Sequence, residues 1–209
     1  MADYTKINGQ LMDWSTCDDT GGVPTLETPE LDSGEGLNDA IETQLQIDVA
    51  HQDANDAGTN NLEVIILGKS GTTDEDWHEI MRFQASGGQA NAQILAAASG
   101  SGQANPNRIE VAATANFETP GDLYFLKDVG SLADSCIVFN KDYIVNDYVE
   151  AIDDLVNAYD NADYLYDIVD QWSITLPPGF QSVKVLFANP DGDATYACRV
   201  RYTMVTDIV

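Results

Sequence analysis

The sequence predicts a mostly β protein, an antiparallel β-sandwich or jelly roll with one short amphipathic helix near residues 147–159 and an extended N-terminal arm. Three observations carry this expectation. Apolar and polar residues alternate over 44–50, 182–188 and 195–204, the period of a strand with one buried face. Turn-forming pairs punctuate the chain at short intervals: Gly87-Gly88, Thr119-Pro120-Gly121, Gly130-Ser131, Pro177-Pro178-Gly179 and Asn189-Pro190-Asp191-Gly192. One stretch alone shifts to offsets of three and four.

Residues 1–42 stand apart as an acidic extended arm, and 43–209 form the body. The first forty residues hold nine acidic side chains, one lysine and five glycines, too few regularly spaced apolar positions to offset the entropy of ordering by themselves. The arm is therefore mobile, or ordered against the body or a neighbour. Tyr4, Ile7, Leu11, Met12 and Trp14 are its docking points, and Leu11, Met12 and Trp14 are the candidates for partner contact.

In the body, Leu45, Ile47 and Val49 alternate with polar residues as the first strand, and the apolar run 62–68 reads as a second, able to form a hairpin with it. Further strands are expected at 77–84, 92–98, 108–115, 122–127 and 135–140. Val145, Tyr148, Val149, Ile152, Leu155, Val156 and Tyr159 then fall on one helical face, opposite Glu150, Asp153, Asp154 and Asn157, and Asp147 with Glu150 resembles a capping box. Strand character returns over 164–176. In the last strand Tyr196, Cys198, Val200, Tyr202 and Met204 take the core face, leaving Arg199 and Arg201 outward as contacts for a partner or as neutralisers of nearby carboxylates.

The chain has 209 residues, 35 Asp plus Glu against 9 Lys plus Arg, and a net charge of −26. Such a surface repels nucleic-acid phosphates and anionic lipid headgroups, so neither nucleic acid nor membrane is an expected partner. No apolar run approaches the roughly 20 residues of a membrane helix. The N-terminus carries no secretory signal, which places synthesis in the cytoplasm. Cys17, Cys136 and Cys198 lack metal-ligand spacing and read as reduced thiols, Cys198 as a small buried hydrophobe.

Nothing in the chain assembles an active site, and no enzyme activity, cofactor or resident metal is expected. His51 continues the inward register of its strand and reads as a strand-end histidine; His78 beside Trp77 reads the same way. Asp53 to Gly58 opens like a calcium-binding EF-hand loop, but Val64 stands where the bidentate glutamate is required. Asp74-Glu75-Asp76 and Asp191-Gly192-Asp193 are looser oxygen clusters that read as solvated turns. Ser99 to Gly102 lacks the Lys-Ser or Lys-Thr ending of a phosphate cradle. Tyr143, Tyr148, Tyr159, Tyr164 and Tyr166 crowd one acidic stretch, where core packing is favoured over a partner surface.

Leu45 to His51, Asp74-Glu75-Asp76-Trp77, Phe117-Glu118-Thr119-Pro120-Gly121, the Leu-Pro-Pro-Gly turn and Val200-Arg201-Tyr202-Thr203 resemble accessory virion proteins of tailed bacteriophages, over roughly residues 43–207. The resemblance is to the β-sandwich or jelly-roll cement and decoration proteins of capsids, and the acidic arm and the expected helix depart from the simplest of them. It implies a non-enzymatic structural protein of the virion that binds the major capsid protein or other virion proteins and forms a homo-oligomer on the particle. A neck, collar or tail-associated position is the alternative within that class. A carbohydrate-binding β-sandwich module, presenting tryptophans or tyrosines on a flat face, is the alternative outside it.

Overall fold

A computed structural model describes residues 5–18, 25–32, 34–52, 61–71, 77–189 and 194–206. The chain divides into two compact units: unit 1 comprises 1–49, 58–87 and 170–209, and unit 2 comprises 50–57 and 88–169.

Unit 1 is built from β1 (Thr5–Cys17), β2 (Thr25–Glu27), β3 (Ala40–His51), β4 (Glu63–Lys69), β5 (Trp77–Gln84), β14 (Val169–Leu176), β15 (Ser182–Ala188) and β16 (Tyr196–Thr206). They form two four-stranded sheets, ordered β1-β16-β3-β14 and β2-β15-β4-β5. The two sheets contribute to one core: Leu45, Ile47, Val49, Cys198, Val200 and Met204 from the first, Val64, Ile66, Val183, Val185 and Phe187 from the second. The alternation visible in the sequence has this cause, because successive residues of a strand point to opposite faces and only one face of each sheet meets the core.

Pairing departs from the expected hairpins. β3 and β4 lie in different sheets, as do β15 and β16, so the chain crosses between layers at these points and the 45–49 strand does not pair with 62–68. Among the described strands of unit 1 only β4 and β5 are sequential neighbours, antiparallel with a bulge at Ile80. That bulge and the exposed Arg82, which bridges Glu63 and Glu79 at 2.7 and 2.8 Å, keep the β5 edge from templating further strands. Thr5–Cys17, within the segment read as an arm, pairs antiparallel with β16, and Thr25–Glu27 pairs with β15.

Unit 2 contains β6 (Ala92–Ile94), β7 (Ser99–Gly100), β8 (Arg108–Glu110), β9 (Leu123–Lys127), β10 (Cys136–Ile144), β11 (Tyr148–Ala151), β12 (Ala158–Tyr159) and β13 (Tyr164–Tyr166). Six make an antiparallel sheet ordered β6-β13-β9-β10-β11-β8, and β7 pairs with β12. Its core is separate, centred on Ile109, Phe117, Tyr124, Leu126, Val149 and Leu165. An aspartate clamps the chain within each unit. In unit 1 the Asp170 carboxylate accepts from the Ser86 N–H at 2.6 Å and hydroxyl at 2.8 Å. In unit 2 Asp167 accepts from the Asn91 N–H at 2.7 Å and side-chain amide at 2.6 Å.

The helix expected at 147–159 does not form. The segment is β11, a loop and β12, and the described residues hold no α-helix, only 3-10 turns such as Leu37–Asp39 and Leu132–Asp134. Asn146, at φ 55°, sits in the left-handed region that asparagine tolerates and closes a tight hairpin in which Ile144 faces Tyr148 and Tyr143 faces Val149. Val149 and Ala151 are buried while Tyr148 and Glu150 are half-buried, so the period is two. The β-branched valines and isoleucines that supplied the helical offsets favour this pleated surface.

Candidate functional site

Among the described residues, two places concentrate interactions, one in each unit. In unit 1 the face of sheet β1-β16-β3-β14 turned away from the core carries a polar strut to which every strand contributes, β16 with two residues. Asp48 of β3, fully buried, accepts from Arg199 Nε at 2.9 Å, Arg199 Nη2 at 2.8 Å and Arg201 Nη2 at 3.0 Å on Oδ2, and from Gln171 Nε2 of β14 at 2.8 Å on Oδ1. The Arg199 guanidinium lies over the Trp14 ring of β1 at 4.4 Å, where the ring face attracts a cation. Four donors occupy most of the lone pairs of one carboxylate. Asp48 therefore acts as a structural acceptor and counter-ion and is closed to substrate.

The residues singled out for partner contact fall around this strut. Trp14 is buried at 4% exposure beneath Arg199, and Leu11 and Met12 join the unit 1 core. The Arg199 side chain is 16% exposed and that of Arg201 38%, so Arg201 keeps the more open surface of the two. His51 ends β3, buried, its backbone N–H donating to the Ile168 carbonyl at 3.1 Å; His78 is exposed on β5. Tyr4, the Asp53–Gly58 loop, Asp74-Glu75-Asp76 and Asp191-Gly192-Asp193 lie outside the described residues. Among the described residues no group of three or more His, Cys, Asp or Glu converges as a metal-ligand set.

None of the three cysteines is in a disulfide, and Cys17 and Cys198 are buried. Burial pushes the Cys17 thiol up to about 11, against a backbone hydrogen bond at Leu26 that lowers it, and burial raises Cys198 as well. A raised thiol stabilises the fold while it stays protonated. Unfolded thiols release their protons near about 8.5, so this contribution is expected to be complete below that value and to vanish as pH climbs through the folded value of about 11. Urea unfolding at increasing alkaline pH measures it: the loss should shrink in Cys17→Ala. At neutral pH a thiol reagent should modify Cys136 quickly and the other two only on unfolding; three fast thiols in the native protein would contradict the burial.

In unit 2 the second concentration is a groove of about 190 Å³ formed by β10, the end of β11 and the loop to β12, lined by Phe139, Ile152, Leu155, Val156, Cys136 and Tyr159. The Ile152 N–H donates to the Phe139 carbonyl at 3.0 Å, which holds their side chains side by side. Tyr159 anchors the floor: its hydroxyl donates to the Asp134 carbonyl at 2.7 Å and lies 3.2 Å from Cys136 Sγ. Burial together with the neighbouring Cys136 raises its phenol far above the ordinary value, so it remains a neutral donor. Asn157 donates to the same carbonyl at 2.7 Å and fixes the loop.

The groove is not named from the sequence; of the strut, the sequence names Trp14, Arg199 and Arg201, with neutralisation of a carboxylate as one of two readings of the arginines, but not Asp48. Asp48 looks like any polar member of an alternating strand, and its arginines lie more than a hundred residues away. The groove did leave a trace, in Ile152 and Val156 flanking Asp153-Asp154, but those apolar residues were assigned to a helix face turned inward.

No protein-family model matches the chain, and no curated protein matches it. Among solved structures, the K3 cleaved adhesin domain of Lys-gingipain from Porphyromonas gingivalis W83 is similar at TM-score 0.37 and 12% identity, over 91% of this chain and 72% of that one. Peanut lectin is similar at TM-score 0.30 and 10% identity, over 100% and 99%. The infectious bursal disease virus VP2 subviral particle follows at TM-score 0.24 and 8% identity, over 99% and 43%. At these scores the similarities assign nothing to the chain.

Proposed function

We propose that the chain is a non-enzymatic structural protein of a tailed-phage particle, a capsid cement or decoration protein that binds the major capsid protein, with unit 1 a jelly roll and unit 2 an insertion in it. The observation that carries this reading is the strand order. Counted along unit 1 alone, the eight strands run first-eighth-third-sixth in one sheet and second-seventh-fourth-fifth in the other, which is the order that two nested Greek keys produce in a jelly roll, an architecture shared by capsid proteins and lectins. Fold by itself does not fix function, so the choice between these rests on side chains.

A lectin-like platform needs an open aromatic face. Here Trp14 is covered by Arg199, Trp172 packs against Phe83 with ring centroids 4.6 Å apart, and Trp77 is half-buried with Lys184 and Lys69 over its ring at 4.3 and 4.8 Å. Those cations are themselves paired with Glu27 and Glu30. Sugars find no exposed indole among the described residues, whereas an assembly role asks only for a stable acidic scaffold with apolar contact points.

The test is density-gradient purification of particles from the lysate, followed by quantitative mass spectrometry and immunogold labelling. The chain is expected at fixed stoichiometry in the particle band with label on the shell; label at the neck or tail would overturn the decoration assignment, and a chain left wholly in the soluble fraction would overturn the structural one.

A further inference from the structure

We propose that the groove of unit 2 lined by Phe139, Ile152 and Val156 docks an apolar segment of a partner protein that carries Lys or Arg on its flanks. The inference deepens the assembly reading and rests on it for the statement that the partner is a protein.

The apolar half of the argument is exposure. Phe139, Ile152 and Val156 are 44%, 53% and 87% exposed, three of the nine exposed large apolar side chains among the described residues, and these three line one groove. A contiguous apolar patch with a concave centre is a site that excludes water when filled. Its volume of about 190 Å³ is below the roughly 300 Å³ at which small-molecule pockets begin, and it suits one or two anchoring side chains of a peptide.

The charged half selects the occupant. Asp153 and Asp154 are exposed on the groove's rim, and Asp134 is exposed where Tyr159 and Asn157 tether the loop. Residues 88–169 contain three cations, and each has its own partner: Arg108 stacks on Tyr148 at 4.1 Å, Lys127 donates to Gln52, and Lys141 pairs with Glu150 at 2.6 Å. The rim therefore presents negative potential to an incoming partner. A second copy of this chain would bring a net charge of −26 and the same carboxylates to the contact, and an anionic lipid surface would be repelled in the same way. An apolar segment between basic residues meets both the groove and its rim.

A pair of fluorescein-labelled peptides tests this, one with Ile-Phe-Leu between lysines and its twin with glutamates in place of the lysines, titrated into the full chain and followed by anisotropy. The lysine peptide is expected to bind, to weaken with added salt, and to lose roughly tenfold in affinity to Val156→Ser and to Phe139→Ser. Val156→Ser should leave the melting temperature unchanged. Alkylation of Cys136, which lines the groove, should slow in the presence of the lysine peptide. Equal binding of both peptides, affinity indifferent to both substitutions, or unprotected Cys136 would overturn the proposal; so would self-association in sedimentation velocity that Val156→Ser abolishes, since the occupant would then be a second copy. Particle incorporation separates the two readings. If wild type and Val156→Ser enter particles equally and the lysine peptide does not bind, the groove assignment falls and the assembly reading stands; if the lysine peptide binds as expected while wild type never enters particles, the reverse holds.

Discussion

Asp48→Ala is expected to destabilise unit 1 by about 3–5 kcal/mol, the range for removing one partner of a buried ion pair, and to lower Tm by roughly 10 °C for a chain of this size. The magnitude follows from what the substitution leaves behind. Arg199 gives two donors to Asp48 and Arg201 one, so both guanidiniums lose their counter-ion, and Arg199 stays desolvated between β3 and the Trp14 ring. Asp48→Asn keeps the shape and the Gln171 contact yet removes the charge, and is expected to lose most of the same stability. Arg201→Met, which removes a single contact from a side chain 38% exposed, should cost no more than about 1 kcal/mol. Joint replacement of Asp48, Arg199 and Arg201 by well-packed apolar residues should recover much of the loss, because the desolvation of the charges disappears with them. Chemical denaturation of the four variants checks the order; an Arg201→Met loss as large as that of Asp48→Ala would mean that the strut is not centred on Asp48.

The strut also explains which parts of the molecule the sequence made legible. β15 falls where alternation placed it, at Ser182–Ala188, and β16 at Tyr196–Thr206 differs from its expected range only at the ends, because a strand with one buried face writes its own period; β5 falls at the expected Trp77–Gln84 without a buried face of its own. Asp48 writes nothing unusual: its burial depends on Arg199, Arg201 and Gln171, which reach it through pairing of strands far apart in the chain. Which strands pair was equally hidden. Asn189-Pro190-Asp191-Gly192 is a strong local turn signal in the sequence, but β15 and β16 on either side of it belong to different sheets, since the core that the two sheets share rather than the local signal decides the partner. Gly87-Gly88 was legible as a turn, and it marks where the chain leaves unit 1; nothing in its chemistry distinguishes an exit to a second core from an ordinary loop.

The helix misassignment has the same root and bears on the groove. Helical periodicity was read on the premise that Val145, Ile152 and Val156 face a core, yet they are 60%, 53% and 87% exposed. Ile152 and Val156 line the groove of unit 2 instead, and exposed apolar side chains obey no burial period, so a pattern search fits them to whichever period they happen to match.

Gly100→Ala is expected to cost on the order of 3 kcal/mol and to disorder the groove's loop. Gly100 pairs with Ala158 in the short β7–β12 ladder at φ +84°, a left-handed conformation that costs a residue with a Cβ about 1–2 kcal/mol. An added Cβ would also stand 2.3 Å from the Asn157 carbonyl oxygen and 3.2 Å from Leu155 Cβ, and overpacking of this kind costs roughly 1–3 kcal/mol more. That carbonyl already accepts from the Ser101 N–H at 2.9 Å, so it cannot retreat without breaking the hydrogen bond that ties the loop to β7. Gly102 supplies the control: its φ is +87°, but an added Cβ meets nothing within 4 Å, and Gly102→Ala should cost only the conformational part, about 1–2 kcal/mol. Hydrogen exchange distinguishes the consequences, because Gly100→Ala should raise exchange over residues 155–159 and weaken the lysine peptide, while Gly102→Ala should do neither. Equal stability of the two variants would show that the Asn157 loop yields freely, and the groove would then lack the rigid wall on which peptide docking depends.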